Sequence, residues 1–364
     1  MCNVELSPSC SYVKIEEQKS GGRSKQRESA IELLRILAMF LVLVVHADFF
    51  SLGPSTFGQQ SLTIFDLSKV FIESVSIVCV NVFVMISGWF GIHPKMKNFM
   101  SFIFQCLFFF IGIYVTLVIL GFESFNIKSI AQCFWFLPNN WFIKSYILLY
   151  ILSPILNVYC ANSSEKKQRN VLIGYFIFQS LYGWLTPGVG FFNSGYSTIS
   201  FIGLYLLMQY IKKSNNRFFC FSVKINLMIY IGSCIITTIL YVVGSWYSIP
   251  RVNILFSYIS PLAILSSMFL FLSFVNLKMQ NGIINWIAKS SFAVYLLHCY
   301  PYILHEFYAK KIKKIFVEFN GVESFLLASA FLCSIFIAAI ILDQPRKYLW
   351  SLINKTLKFR YYLQ

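Results

Sequence analysis

The chain has 364 residues, of which 57% are hydrophobic, 18% aromatic and only 12% charged, with a formal net charge of +16. A soluble domain carries about 25% charged residues, so the composition excludes one and points to an integral membrane protein. The basic residues are scattered over many short loops, which argues against nucleic-acid binding and fits a topology signal and attraction to anionic membrane lipids.

Residues 1–28 are polar, rich in Ser, Lys and Glu, and lack the apolar core of a signal peptide. They read as a disordered cytoplasmic tail. From there to about residue 350 the chain reads as one transmembrane unit, followed by a basic cytoplasmic tail over 351–364. Ten apolar stretches in this unit are long enough, or nearly so, to cross about 30 Å of hydrocarbon as helices. They cover 30–50, 69–90, 98–121, 141–160, 170–185, 197–211, 225–246, 254–276, 283–303 and 323–342, the fifth and sixth being short. The expected fold is an all-α polytopic integral membrane helix bundle. With the N-terminus inside, cytoplasmic segments hold 20 of the 30 basic residues and outer segments only six. This asymmetry predicts an even number of spans with both termini cytoplasmic. The exception is the cluster Lys310, Lys311, Lys313 and Lys314, interleaved with apolar residues over 305–320 as in a short interfacial helix.

The first stretch, IELLRILAMFLVLVVHA, places Arg35 and His46 inside an apolar run. A charge at mid-span costs about 2.5–3.5 kcal/mol on insertion scales. Eleven residues at 100° each bring the two side chains to within about 20° of one another around the helix, roughly 16 Å apart along it. That shared face belongs toward the interior or a wet cavity, with Arg35 near the cytoplasmic end and His46 in the outer third. Taken singly, Arg35 is a snorkelling anchor and His46 a hydrogen-bonded packing residue. His298, in SSFAVYLLHCYPYIL, stands about as far from the inner start of its span as His46 does from its own. Two imidazoles at one depth form a proton-transfer site. Lys144 falls near the same level, with an interface anchor beside Trp141 as its plainer reading. Glu73 and Lys289 have no evident partner and read as interface residues. Ten cysteines occur without a C-x-x-C pair or a histidine at ligand spacing. They are expected to be apolar fillers, and no metal site is expected.

These residues resemble the membrane acyltransferase-3 family, whose first span carries Arg and His with ten residues between them. Further landmarks follow in order: NVFVMISGWF at 81–90, NNWFIKSYILLYILSPILN at 139–157, NSGYSTISFIGLYLLMQYI at 193–211, SSFAVYLLHCYPYIL at 290–304 and LDQPRKYL at 342–349. The sequence departs at Trp89, where the family often has Tyr or Phe, and in carrying no appended esterase-like domain. The membrane unit is therefore expected to act alone or with a separate protein partner. The resemblance implies a multi-pass enzyme of the cytoplasmic (inner) membrane. Its reaction would be O-acylation, usually O-acetylation, of a cell-surface or lipid-linked glycan such as a polysaccharide, lipopolysaccharide or capsule. The co-substrate would be cytoplasmic acyl-CoA, most often acetyl-CoA, with no permanently bound cofactor. On that reading Arg35 grips a CoA phosphate, and His46 acts as general base or carries the acyl group, with His298 beside it. Asn81 or Ser87 would donate to an oxyanion, unless these residues and Gly88 serve only close helix packing. Trp141, Lys144 and Tyr146 would contact the sugar, though aromatic belts also use such residues. The competing readings are a transporter or flippase of a lipid-linked sugar, and a non-catalytic sensor or assembly protein. Gly/Pro-interrupted spans in matching halves, which a transporter would favour, are not evident.

Overall fold

Caps recur where one helix hands over to the next. Thr63, Asn126, Ser164, Ser197, Ser222 and Asn281 each accept, through the side chain, a backbone N–H of the first turn that follows. Such residues satisfy donors that a helix start leaves open, so connections stay short. The computed structural model describes residues 28–55, 57, 63–137, 140–186, 190–214 and 216–361, excluding the side chains of Arg217 and of 356–361. The expected tail over 1–28 therefore lies, apart from Glu28, outside the described residues. No strand occurs among the described residues, and the protein is an all-α polytopic membrane bundle.

The helices are α1 (Ser29–Val45, running on as a π turn over His46–Phe50), α2 (Ile64–Ser76), α3 (Cys79–Phe90), α4 (Met96–Ile119), α5 (Ile127–Phe134), α6 (Trp141–Asn162) and α7 (Glu165–Phe178, continued by a π turn to Leu185). There follow α8 (Thr198–Lys213), α9 (Val223–Trp246), α10 (Pro261–Val275), α11 (Gly282–Ala288), α12 (Ser291–His298), α13 (Lys310–Glu318, entered through a π turn over Ile303–Ala309) and α14 (Val322–Tyr361). The core is built from α1, α3, α8, α10 and α12, whose apolar faces are buried throughout.

Among the described residues the expectation of ten spans is corrected to seven, and since seven is odd the expected even count falls with it. The seven are the helical stretches Ser29–Phe50, Ile64–Phe90, Met96–Ile119, Trp141–Asn162, Val223–Trp246, Val252–Val275 and Val322–Lys355. Three expected spans fall short for separate reasons. The stretch at 170–185 belongs to a helix that opens on the polar turn EKKQRN. The one at 197–211 is a 16-residue helix. The one at 283–303 is split into α11 and α12 at Lys289–Ser290. At that split Ser291 Oγ donates to Ala288 O at 2.9 Å, and Lys347 Nζ donates to Ser290 Oγ at 2.5 Å. Serine hydroxyls offer the backbone an alternative to the helical ladder.

At one end of the bundle Asn281 N donates to Ser29 Oγ at 2.8 Å, joining the starts of α1 and α11. From this contact α1 and the α11–α12 pair climb side by side. The final helix runs past the expected boundary at 350, so the last long span and the basic segment form one rod. The landmark LDQPRKYL lies inside it. Asp343, fully buried, takes both Nε and Nη2 of Arg346 at 2.8 and 2.7 Å, and Gln105 Nε2 of α4 donates to it at 3.2 Å. Pro345 supplies no N–H to this stretch of helix, and Gln344 Nε2 donates to Ile340 O nearby.

Candidate active site

His46 stands where α1 changes from α to π geometry. Single π turns inside α-helices are frequent at functional sites, and here Ser51 Oγ donates to His46 O at 2.5 Å. His298 is the last residue of α12 and is fully buried. The two rings meet edge to edge, His46 Nδ1 lying 2.9 Å from His298 Nε2. The pairing follows from the helix register. The contact at the helix starts joins residues 29 and 281, and the histidine contact joins 46 and 298, so both pairs are separated by 252 positions. Two helical segments rising about 1.5 Å per residue from a common start therefore reach the same level together.

The hydrogen-bond chain fixes the tautomers. Val294 O, a pure acceptor, is 2.6 Å from His298 Nδ1, so that nitrogen carries the proton and Nε2 carries a lone pair. His298 Nε2 must then accept from His46 Nδ1–H, which leaves the His46 Nε2 lone pair free. Tyr308 packs against the His298 ring and donates its hydroxyl to Leu43 O, one turn before His46.

His46 opens onto a cavity of about 560 Å³. Its wall is largely aromatic, with Trp141, Phe142, Tyr196, Phe256, Tyr258, Phe292 and Tyr295 all facing in. Trp141 meets Tyr196 edge-on with ring centres 4.5 Å apart. Polar groups are few: His46, Glu73, Asn140, Cys299 and His305 join the tyrosine hydroxyls. Phe50 and His305, both exposed, pack together at the mouth. Ring stacking separates this cavity from a smaller one of about 190 Å³ lined by Asn98, Phe99, Phe102, Tyr146, Ile147 and Tyr150. Phe142 stacks on Tyr146, and Phe292 on Phe102, across that partition.

The expected site residues divide clearly. His46, His298 and Trp141 are brought together at the large cavity. Arg35 sits lower on α1, its Nη1 2.8 Å from Glu32 Oε2, with its side chain 30% exposed and in electrostatic reach of Tyr146. Tyr146 lines the smaller cavity, its hydroxyl 3.2 Å from Ser87 Oγ. Lys144 is exposed and does not line the large cavity. Asn81 is not aimed at the histidines; its Nδ2 donates to Tyr258 O at 2.9 Å. Ser87 donates to Phe83 O of its own helix at 3.1 Å. A Cβ on Gly88 would lie 2.8 Å from Tyr205 O, so this glycine serves the close crossing of α3 and α8.

Two groups stand closer to the cavity than their sequence positions suggest. Glu73, expected at an interface, is 3% exposed, lines the large cavity, and has an Oε2 with no hydrogen-bond partner. Both carboxylate oxygens of the neighbouring Asp48 are likewise buried and unpartnered, with Lys69 in electrostatic reach of each acid. Cys299, expected to be an apolar filler without a histidine at ligand spacing, has its Sγ 3.3 Å from His298 Nε2 and 3.8 Å from His46 Nδ1.

A family profile described as an acyltransferase domain matches residues 28–344, which takes in both histidines, Arg35, Glu73 and the whole cavity wall. The chain belongs to the acyltransferase-3 family. It is a multi-pass membrane acyltransferase. Searches of curated proteins and of solved structures give no match to it. In this acyltransferase Arg35 and His46 lie on one helix, and of the two only His46 lines the large cavity.

Proposed function

We propose that the acyltransferase moves an acyl group, in the simplest case acetyl, from acyl-CoA to a hydroxyl of a cell-surface or lipid-linked glycan, with His46 as the base. The observation that carries this reading is the His46–His298 pair with its free Nε2 lone pair beside a cavity rich in aromatic rings. His46 Nε2 takes the proton as the acceptor oxygen attacks the thioester carbonyl; the CoA sulfur leaves and takes that proton from the imidazolium. His298 holds the other proton on Nδ1 of His46 and keeps the ring in its reactive tautomer.

Arg35 lies about 16 Å from His46 along the helix. Its guanidinium has donors beyond the one given to Glu32 and suits a CoA phosphate bidentately. The acyl arm would run from there past the Phe142–Tyr146 and Phe102–Phe292 stacks. Trp141, Tyr196 and Tyr258 offer faces for a sugar ring, and Glu73 and Asn140 offer partners for its hydroxyls. The Lys and Arg distribution supports Arg35 toward the cytoplasmic side and residence in the cytoplasmic membrane.

The test is thiol release from acetyl-CoA by the purified protein in detergent, paired with mass spectrometry of surface glycans from cells with and without the gene. Turnover that vanishes in His46→Ala, and O-acyl groups that vanish with the gene, are expected. Full turnover in His46→Ala refutes the assignment.

A further inference from the structure

Beyond the proton chain, the imidazoles of His46 and His298 share their space with a thiol. The three donor atoms His46 Nδ1, His298 Nε2 and Cys299 Sγ all lie within 4.8 Å of one another. We propose that these residues form a binding site for a divalent transition metal of the zinc class, and that occupancy switches the acyltransferase off.

Geometry comes first. Zinc bonds of 2.0–2.1 Å to nitrogen and about 2.3 Å to sulfur, arranged tetrahedrally, place nitrogens about 3.3 Å apart and nitrogen about 3.5 Å from sulfur. The observed separations are 2.9 Å between nitrogens and 3.3 and 3.8 Å from sulfur to each nitrogen. Each edge is within about half an ångström of a tetrahedral one, a correction that small side-chain rotations supply. Two imidazoles and a thiolate are a donor set for zinc.

The surroundings are also those of a metal ligand. His298 gives its one ring N–H, on Nδ1, to Val294 O at 2.6 Å, the outer-shell bond that orients a ligating histidine and leaves Nε2 for the metal. His46 and Cys299 both line the large cavity, so the fourth position faces open space where water can sit. One thiolate on a divalent ion leaves a net positive charge, and the Glu73 carboxylate lines the same cavity. The mouth is marked by His305 and Phe50, which form the approach.

Inhibition follows from the tautomer. The proposed base needs its proton on Nδ1, where His298 holds it, and its lone pair on Nε2. A metal takes the Nδ1 lone pair, so the neutral ring then carries its proton on Nε2. Metal-bound His46 presents N–H to the cavity where an acceptor hydroxyl needs a base. Metal and catalysis use the two tautomers of one ring, so they exclude each other. The binding claim stands without the proposed reaction; the inhibition claim rests on it.

The experiment is a titration of the full-length protein in detergent with Co²⁺, followed by visible and near-ultraviolet absorption. One equivalent is expected, with tetrahedral d–d bands and a thiolate-to-cobalt charge-transfer band. Cys299→Ser should lose the charge-transfer band and weaken binding by about 10-fold or more, since even outer-shell losses cost that much. His298→Ala should lose the tetrahedral spectrum. Absence of a tetrahedral spectrum in the wild type, or a charge-transfer band that survives in Cys299→Ser, overturns the site. Zn²⁺ should then suppress acetyl-CoA turnover reversibly, with chelator restoring it. Tight metal binding without inhibition would keep the site and refute His46 as the base, so the two failures are distinct.

Discussion

Replacing His298 separates orientation of His46 from direct proton transfer. In His298→Ala the half-buried His46 Nδ1–H, which now points at His298 Nε2 from 2.9 Å, loses its acceptor. Leaving a buried donor unmet costs about 1–3 kcal/mol, so the reactive tautomer should be depleted and the rate should fall about 5- to 150-fold. In His298→Gln the amide oxygen takes nearly the position of Nε2 and can accept the same proton, but it cannot carry one. A merely orienting His298 therefore predicts that glutamine restores the rate to within about 10-fold of wild type. The assay is thiol release at saturating acetyl-CoA, on variants that elute as monodisperse folded protein, with CoA affinity measured in parallel. His46→Ala should fall by about 100-fold or more with affinity kept. Wild-type turnover in His298→Ala would refute the dyad. A glutamine variant as inactive as the alanine one would refute the orienting role and assign His298 to proton transfer.

Arg35→Ala should weaken CoA binding by about 10- to 150-fold, the loss of a charge-assisted contact worth roughly 1.5–3 kcal/mol. Arg35→Lys should recover only part of it, because an ammonium lacks the planar fork; unchanged CoA affinity in Arg35→Ala, by equilibrium dialysis, removes the phosphate contact. Arg346→Met takes the two-pronged partner from the fully buried Asp343 carboxylate, leaving it Gln105 and Lys347, and should cost about 1.5–3 kcal/mol, read as a lowered melting temperature in detergent. Gly88→Val puts branched carbon against Tyr205 O and should part α3 from α8, so poor yield and early melting are expected where Gly112→Val, on an open face, is tolerated. A cysteine at Ser124, after the third span, should be labelled from outside intact cells and one at Ser163, after the fourth, protected; the reverse pattern would invert the orientation taken for Arg35.

The helical class, the path of α1 and the common depth of His46 and His298 were legible, because helix rise is fixed and composition is strongly biased. The number of long spans was not. A sliding reading of apolar residues passes over Lys289–Ser290–Ser291, since the interruption is set by Lys347 and Gln344 from a helix more than fifty residues later. Lys144 shows the same limit in a single residue. Its place near the start of α6 was readable and its direction was not, and it projects outward while Trp141, three residues earlier, faces the cavity. Glu73 and Cys299 escaped because each owes its meaning to groups distant in sequence. The one local signal is that Cys299 directly follows His298 in the chain.

Both histidines stand at breaks in helical structure, and the breaks explain how rings inside an apolar bundle come to be held in one orientation. An uninterrupted helix commits its interior carbonyls to N–H groups four residues on, leaving little for a side chain. Where α1 turns to π geometry, His46 O receives Ser51 Oγ and Leu43 O receives Tyr308 from the opposite segment. Where α12 stops, Val294 O is reached by His298 Nδ1. Each carbonyl fixes a side chain or backbone turn that faces the other histidine, so the two breaks together set the ring pair. A longer, smoother apolar helix at either place would cross the membrane more readily and would leave the imidazoles without these anchors. The interrupted segment is thus the structural cost of a site, and one of the three departures from ten regular spans falls on the segment that carries His298.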